Sequence, residues 1–219
     1  MAGDFYRVMN VLLLGCGSKW GRQLLDSLAS NHTVYSISSQ DIHNVNNLKI
    51  DWSSLGPATV EKFLKNLPDI DLVFFNQNGS ALSGQNFDHM KTIDHWKLEK
   101  HWSQQYYNSV ILPFHVVQSI NLNKDSIVAW MLSSYVYQHI NIDHADYVGN
   151  KYQNFVVMKN FSKTGKSCFC GVNPMDIDNP NVTVDKFITN LFEHKKEELN
   201  GNVIYFNGEI DINFHNFSV

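Results

Sequence analysis

Short apolar runs alternate with amphipathic stretches from one end of the chain to the other. The runs are Val11–Leu14, Val34–Ile37, Leu72–Phe75, Ser126–Leu132, Ser167–Val172 and Val203–Phe206. Brief, near-continuous apolar segments of this kind predict strands buried on both faces, as in a parallel sheet. Between them, apolar positions recur at helical spacing over Arg22–Ala29, Thr59–Leu67, Asp94–Ile120, Tyr147–Lys163 and Val184–Lys196. In the first of these helices Leu24, Leu25 and Leu28 share the inner side. Strand and helix in regular alternation predict an α/β protein: a doubly wound parallel sheet with helices on both faces, in three layers. The Asn-rich stretches Asn44–Asn47 and Asn179–Asn181 read as loops by turn chemistry. No repeat, low-complexity tract or linker interrupts the alternation, so residues 1–219 read as one domain.

Composition narrows the classes of function. A content of 43% hydrophobic residues and 13% aromatics is enough for one full core. No stretch approaches the roughly 20 apolar residues of a membrane span, and the start, with Asp4 and Arg7, lacks a signal-peptide core. The expected location is the cytoplasm, without membrane attachment. A net charge of −4 argues against a nucleic-acid partner, which would call for a basic face. The three cysteines make no disulfide framework. Cys168 and Cys170, two apart in a predicted strand, point the same way and read as small buried hydrophobes. The ten histidines show no paired ligand spacing, and no metal is expected.

Two stretches carry chemistry. Tyr147 and Lys151 stand four residues apart on a predicted helix and so share a face. An ammonium beside a phenol favours phenolate and lowers a pKa that starts near 10, which makes the pair a plausible acid for a carbonyl oxygen. Near the other end, the strand Val11–Leu14 runs into Gly15-Cys16-Gly17-Ser18-Lys19-Trp20-Gly21 and then into a helix. Strand, glycine turn and helix together form a dinucleotide pyrophosphate site. The glycines let backbone approach the phosphates, and the helix N-terminus offers N–H groups and a positive dipole end.

With these stretches in order, the chain resembles the short-chain dehydrogenase/reductase family. Asn76-Gln77-Asn78-Gly79 follows a strand where the family carries Asn-Asn-Ala-Gly. Ser133-Ser134 ends another strand, and Ser134 precedes Tyr147 by thirteen residues, a family spacing. Asn173-Pro174 lies at its Pro-Gly position, and Gly201–Gly208 resembles its last strand and glycine turn. The resemblance departs at Leu14 (Thr in the family), at Lys19 (the middle Gly) and at Met175 (the Gly after proline). It implies a Rossmann fold and hydride transfer between a nicotinamide and a small carbonyl or alcohol substrate. Tyr147 is then the acid and base, and Lys151 the group that tunes it and bonds the nicotinamide ribose. Ser134 holds the substrate oxygen, with Ser133 its rival, and Asn108 supports a proton-relay water beside the lysine. Gly15, Gly17, Ser18, Lys19, Trp20 and Gly21 are the expected phosphate turn. Asp51 and Trp52 lie at the adenine, and Asn78, Gly79 and Pro174 line the cofactor.

Cofactor preference turns on the end of the second strand. NAD-binding relatives carry an Asp there, whereas this chain has Ser38-Ser39-Gln40 and no carboxylate until Asp41. Serines donate to a 2′-phosphate that a carboxylate would repel, so NADP(H) is expected over NAD(H), with Lys19 or Arg22 as phosphate neighbours. The short connection from Met175 to Thr183 implies an open or shallow substrate site, or one completed by another subunit. Relatives pair the two long helices across a two-fold axis. Trp102, Tyr106, Val110, Phe155 and Phe161 offer apolar surface for that, so a homodimer or homotetramer is expected. The alternatives are a catalytically weak dinucleotide-binding sensor or scaffold on the same fold, favoured by Lys19 and Met175, and a pteridine-type reductase, against which Ser134 argues.

Overall fold

Valine, leucine and phenylalanine at successive positions give central strands such as Val11–Leu14 and Leu72–Phe75 two apolar faces, and the chain buries both. The computed structural model describes residues 7–50, 57–77, 95–132, 145–174, 183–206 and 210–211. In chain order the elements are β1 (Asn10–Leu14), α1 (Lys19–Asn31), β2 (Thr33–Ser38), β3 (Asn46–Lys49), α2 (Pro57–Lys65) and β4 (Ile70–Phe75). There follow α3 (His95–Tyr106), a π-turn (Tyr107–Ile111), α4 (Leu112–Ser119), β5 (Leu122–Met131), α5 (Ala145–Ser162) and β6 (Cys168–Pro174). The chain continues through α6 (Val184–Glu193), α7 (Lys196–Leu199), β7 (Val203–Phe206) and β8 (Ile210–Asp211).

The strands form one sheet in the order β3-β2-β1-β4-β5-β6-β7-β8, parallel throughout except for β8, which pairs antiparallel to β7. This is a Rossmann-like α/β fold, as the alternating pattern predicts. Side chains alternate between the two faces. Val11, Leu13, Phe74, Ala129 and Val172 pack under α1 and α6, and Cys168 and Cys170 lie buried on that same face. Leu12, Leu14, Val73, Val128 and Trp130 pack under α2, α4 and α5. Aromatic rings bind the second layer together: Phe75 stacks on Trp130 with centroids 4.7 Å apart, and Phe161 on Phe169 at 5.5 Å. Phe155 is buried, and Val110 and Phe161 pack on the same core. These three therefore serve their own sheet, unlike Trp102 and Tyr106, which are exposed.

The structure corrects the sequence reading at three places. Asn46 and Asn47, expected within a loop over Asn44–Asn47, open the edge strand β3. The turn falls earlier, at Asn44 with φ +67°, a conformation Asn tolerates better than most residues. Polar pairing replaces apolar pattern on this edge: Ser36 Oγ donates to Asn47 Oδ1 at 2.6 Å, and Asn47 Nδ2 donates to the Gln40 carbonyl at 3.1 Å. The helix expected over Asp94–Ile120 is interrupted at Tyr107–Ile111 by the π-turn. The helix expected over Val184–Lys196 ends at Glu193, because His194 turns extended and its N–H caps the Asn190 carbonyl. Among the described residues no helix is long and apolar enough to cross a membrane.

Candidate active site

Strand order reverses between β1 and β4, since β2 lies to one side of β1 and β5 lies on the far side of β4. A crevice at the C-terminal ends of strands around such a switch point is where open α/β sheets bind ligands. Gly15 leaves β1 there with φ +81°, and its N–H bonds the Ile37 carbonyl at 3.1 Å. A Cβ at Gly15 would lie 2.5 Å from the Gln77 backbone nitrogen, and one at Gly21 would lie 2.4 Å from the Gly15 carbonyl oxygen. Both positions exclude any other residue. Gly17 differs: it is exposed, and a Cβ there would meet only the Gln40 side chain at 3.3 Å. The tight places in the turn are therefore Gly15 and Gly21.

Asn76, just past β4, holds this turn. Its Nδ2 donates to the Gly15 carbonyl and to Ser18 Oγ, both at 2.9 Å. Ser18 is the N-cap of α1, its Oγ accepting from Gly21 N–H at 3.0 Å. The Trp20 ring is core rather than ligand surface, packing edge-on to Phe187 at 6.5 Å. Lys19 and Arg22 lie exposed at the helix start, where cations and the dipole act together on an anion.

The end of β2 places the two serines differently. Ser38 is buried and its Oγ accepts from Gln40 N–H at 3.1 Å, whereas Ser39 is exposed. The Arg22 guanidinium reaches Gln40 Oε1 at 3.4 Å. Asp41, the nearest carboxylate, is bound to Lys49 at 2.6 Å.

Across the crevice, Asn108 lies buried in the π-turn and Lys151 lies buried on α5. Lys151 Nζ donates to the Met131 carbonyl at the end of β5 at 2.7 Å. Burial pushes its ammonium down from the usual lysine range to about 7. The two helices are joined next to these residues, where Asn150 Nδ2 donates to Gln105 Oε1. Tyr147 sits on α5 one turn before Lys151. Its side chain lies outside the described residues, as do Ser133, Ser134, Asp51, Trp52, Asn78 and Gly79. Pro174 ends β6 opposite Phe206.

Among the described residues, buried polar atoms without a hydrogen-bond partner include Gln77 Oε1 after β4, Asn108 Oδ1 in the π-turn and Asn173 Nδ2 near the end of β6. Native interiors leave few such atoms, and a set at the strand ends is what a ligand's own polar groups would satisfy. With the glycine cradle at Gly15 and Gly21, the described residues fit a dinucleotide. Gln77 and Asn76 carry more of this geometry than their motif suggests. The available signal was Pro113 inside a helical pattern, which marks a disturbed helix beside Asn108.

Comparison with known proteins agrees with this geometry. No family model and no curated protein matches the sequence. Solved structures match over nearly the whole chain. A short-chain dehydrogenase from Shigella flexneri is 15% identical with a TM-score of 0.67, over 90% of this chain and 96% of that one. A short-chain dehydrogenase/reductase-family oxidoreductase from Brucella ovis, in complex with a partially ordered NAD, is 13% identical with a TM-score of 0.64, over 92% and 100%. Alternative dihydrofolate reductase 1 from Brucella canis, complexed with NADP, is 12% identical with a TM-score of 0.65, over 96% and 98%. The sheet order, the glycine turn at its switch point and these likenesses together give this chain the fold of the short-chain dehydrogenases/reductases.

Proposed function

We propose that this protein is an NAD(P)-dependent oxidoreductase that moves a hydride between a nicotinamide and a small carbonyl or alcohol substrate. The observation that carries the reading is the turn from Gly15 to Gly21, closed by Asn76 at the switch point and adjoined by Gln77, which bonds the Asn108 carbonyl. The nicotinamide, when bound, supplies or accepts the hydride. The chain's own residues do the rest. Gly15, Gly21, Ser18 and the start of α1 seat the pyrophosphate, with Gly17, Lys19 and the Trp20 backbone beside it. Tyr147 gives its phenolic proton to the carbonyl oxygen in reduction and takes it back in oxidation, a contribution typically worth about 10²–10⁴-fold. Lys151 holds the phenol toward phenolate and faces the ribose, Ser134 fixes the substrate oxygen, and Asn108 orders the proton path. Asp51, Trp52, Asn78, Gly79 and Pro174 complete the cofactor groove.

NADP(H) is the preferred cofactor in this reading. Exposed Ser39 and Arg22 offer donors to a 2′-phosphate beyond the end of β2, and the charge of Asp41 is compensated by Lys49. Buried Ser38 shapes the turn instead of meeting the phosphate. The assembly we propose is a two-fold dimer, or a tetramer built from it, through α3 and α5. Trp102 and Tyr106, one helical turn apart, are 41% and 52% exposed, and Tyr152, one turn before the exposed Val156, is 47% exposed. A large apolar face of this kind marks an interaction surface, and closed two-fold pairing is the commonest way to cover one.

The test is calorimetric titration with NADPH and NADH, followed by carbonyl reduction with Tyr147→Phe. Binding with turnover lost in the Phe variant is the expected result. Failure of the wild type to bind either dinucleotide would refute the proposal. A second reading, a dinucleotide-binding sensor with little catalysis, has one observation in its favour. A Lys151 ammonium depressed to about 7 is only partly charged at neutral pH and assists Tyr147 less. Tight binding without turnover of any small carbonyl would select it.

A further inference from the structure

The π-turn beside Asn108 has an identifiable cause. Pro113 has no N–H, and its ring crowds the carbonyl four residues back, on Ser109, so an α-helical register cannot run through it. The helix widens instead, and Leu112 N–H bonds the Tyr107 carbonyl five residues earlier. That N–H is the one an α-helix would have brought to the Asn108 carbonyl. The next candidate donor, five residues on, is Pro113 itself. The Asn108 carbonyl is thereby left open within a buried stretch of helix.

Gln77 closes it. Its Nε2 donates to the Asn108 carbonyl at 3.0 Å, from a residue only 7% exposed. Because only the nitrogen end of the amide donates, Oε1 is turned the other way, and it is buried without a hydrogen-bond partner among the described residues. An apolar side chain would fill this space but leave the Asn108 carbonyl without its donor, so packing alone does not account for an amide here. The backbone of Gln77 lies directly against Gly15, where a Cβ would come within 2.5 Å of its nitrogen. One residue thus spans from the phosphate turn to the π-turn. The link continues through the Gln105–Asn150 bond to α5, and from Lys151 to β5.

We infer that Gln77 is a positioning residue. It clamps the Asn108 turn to the glycine turn, so that a dinucleotide seated on Gly15 and Gly21 meets Asn108 and Lys151 in one fixed register. The functional consequence rests on the dinucleotide reading above, whereas the clamp itself stands without it. Two variants test both parts. Gln77→Met removes the donor. Gln77→Glu presents a carboxylate to the Asn108 carbonyl at pH 8, but at pH 5 a protonated acid can donate to it again. Each is compared with wild type at the same pH, so that contributions from the neighbouring Lys151, His101 and His115 are common to both.

In cofactor-free protein, hydrogen-exchange protection across residues 107–112 should fall about ten-fold or more in Gln77→Met at both pH values. In Gln77→Glu it should fall at pH 8 and return to within about three-fold of wild type at pH 5. Calorimetric affinity for NADPH should weaken about ten-fold in the same pattern. Unchanged protection in both variants would overturn the clamp. Lost protection with unchanged affinity and unchanged KM would overturn the positioning role and leave Gln77 a purely structural residue. If wild type binds neither dinucleotide while protection is lost and acid-restored, the clamp is upheld and the proposed function falls. Should the Met variant not fold, the Glu variant read at two pH values carries the test alone.

Discussion

Lys151 gives a prediction whose size and sign follow from its surroundings. Its ammonium is buried against the end of β5, with Nζ on the Met131 carbonyl, and burial lowers its pKa from 10.5 to about 7. In the unfolded chain the group titrates near 10.4. Between the two values the unfolded chain holds a proton that the folded protein does not, so stability rises with pH across that window. The penalty is fully present below pH 7 and gone above about pH 10.5. At about 1.36 kcal/mol for each pH unit between the two pKa values, the charged group costs the folded protein on the order of 4 kcal/mol at pH 7 and about 1.5 kcal/mol at pH 9.5. Replacement by Met keeps the length of the side chain and removes the charge, and the loss of the hydrogen bond to the Met131 carbonyl costs about 1 kcal/mol. Lys151→Met should therefore be about 3 kcal/mol more stable than wild type at pH 7, and the two should converge toward pH 9.5. Urea unfolding at several pH values measures this directly. Stability curves that run parallel from pH 7 to 9.5 would show that Lys151 does not titrate in that window and would refute the reasoning. The same variant should lose catalysis, so stability and activity would move in opposite directions at one residue.

Other outcomes follow from the site. Gly15→Ala forces a Cβ into the Gln77 backbone at φ +81° and should cost about 2 kcal/mol or more in urea unfolding and abolish dinucleotide binding, whereas Gly17→Ala should stay within about 0.5 kcal/mol of wild type. Ser39→Asp should turn a preference for NADPH into one for NADH by calorimetry, and wild type that binds NADH more tightly would contradict the assignment. Trp102→Glu combined with Tyr152→Glu should reduce the mass seen by light scattering to that of one chain, 25.2 kDa, from at least twice that value. A wild-type mass already near one chain across micromolar concentrations would exclude the interface.

The sequence by itself determined the layers and their order. Apolar runs such as Val11–Leu14 and Leu72–Phe75 specify two-faced strands because their side chains alternate about the backbone whatever the partner. The glycine turn was legible for a similar local reason, since glycines between a strand and a helix permit the tight backbone that Gly15 adopts at φ +81°. What the sequence left open depended on contacts between distant segments. The edge strand β3 carries no apolar pattern, and it is a strand only because β2 offers ladder partners and Ser36 meets Asn47. Trp102 and Phe155 are both large apolar residues on neighbouring helices, and only packing decided that one is exposed and the other buried. Ser38 and Ser39 are identical in chemistry, and the direction of the chain after β2 buries the first and exposes the second. The Asn108 carbonyl shows the division most clearly. Pro113 strips it of a helix donor through local geometry, but the replacement comes from Gln77, thirty-one residues away, which the sheet brings alongside. Local sterics can be read along the chain, whereas the partner that satisfies a buried group is fixed only when the strands are laid side by side.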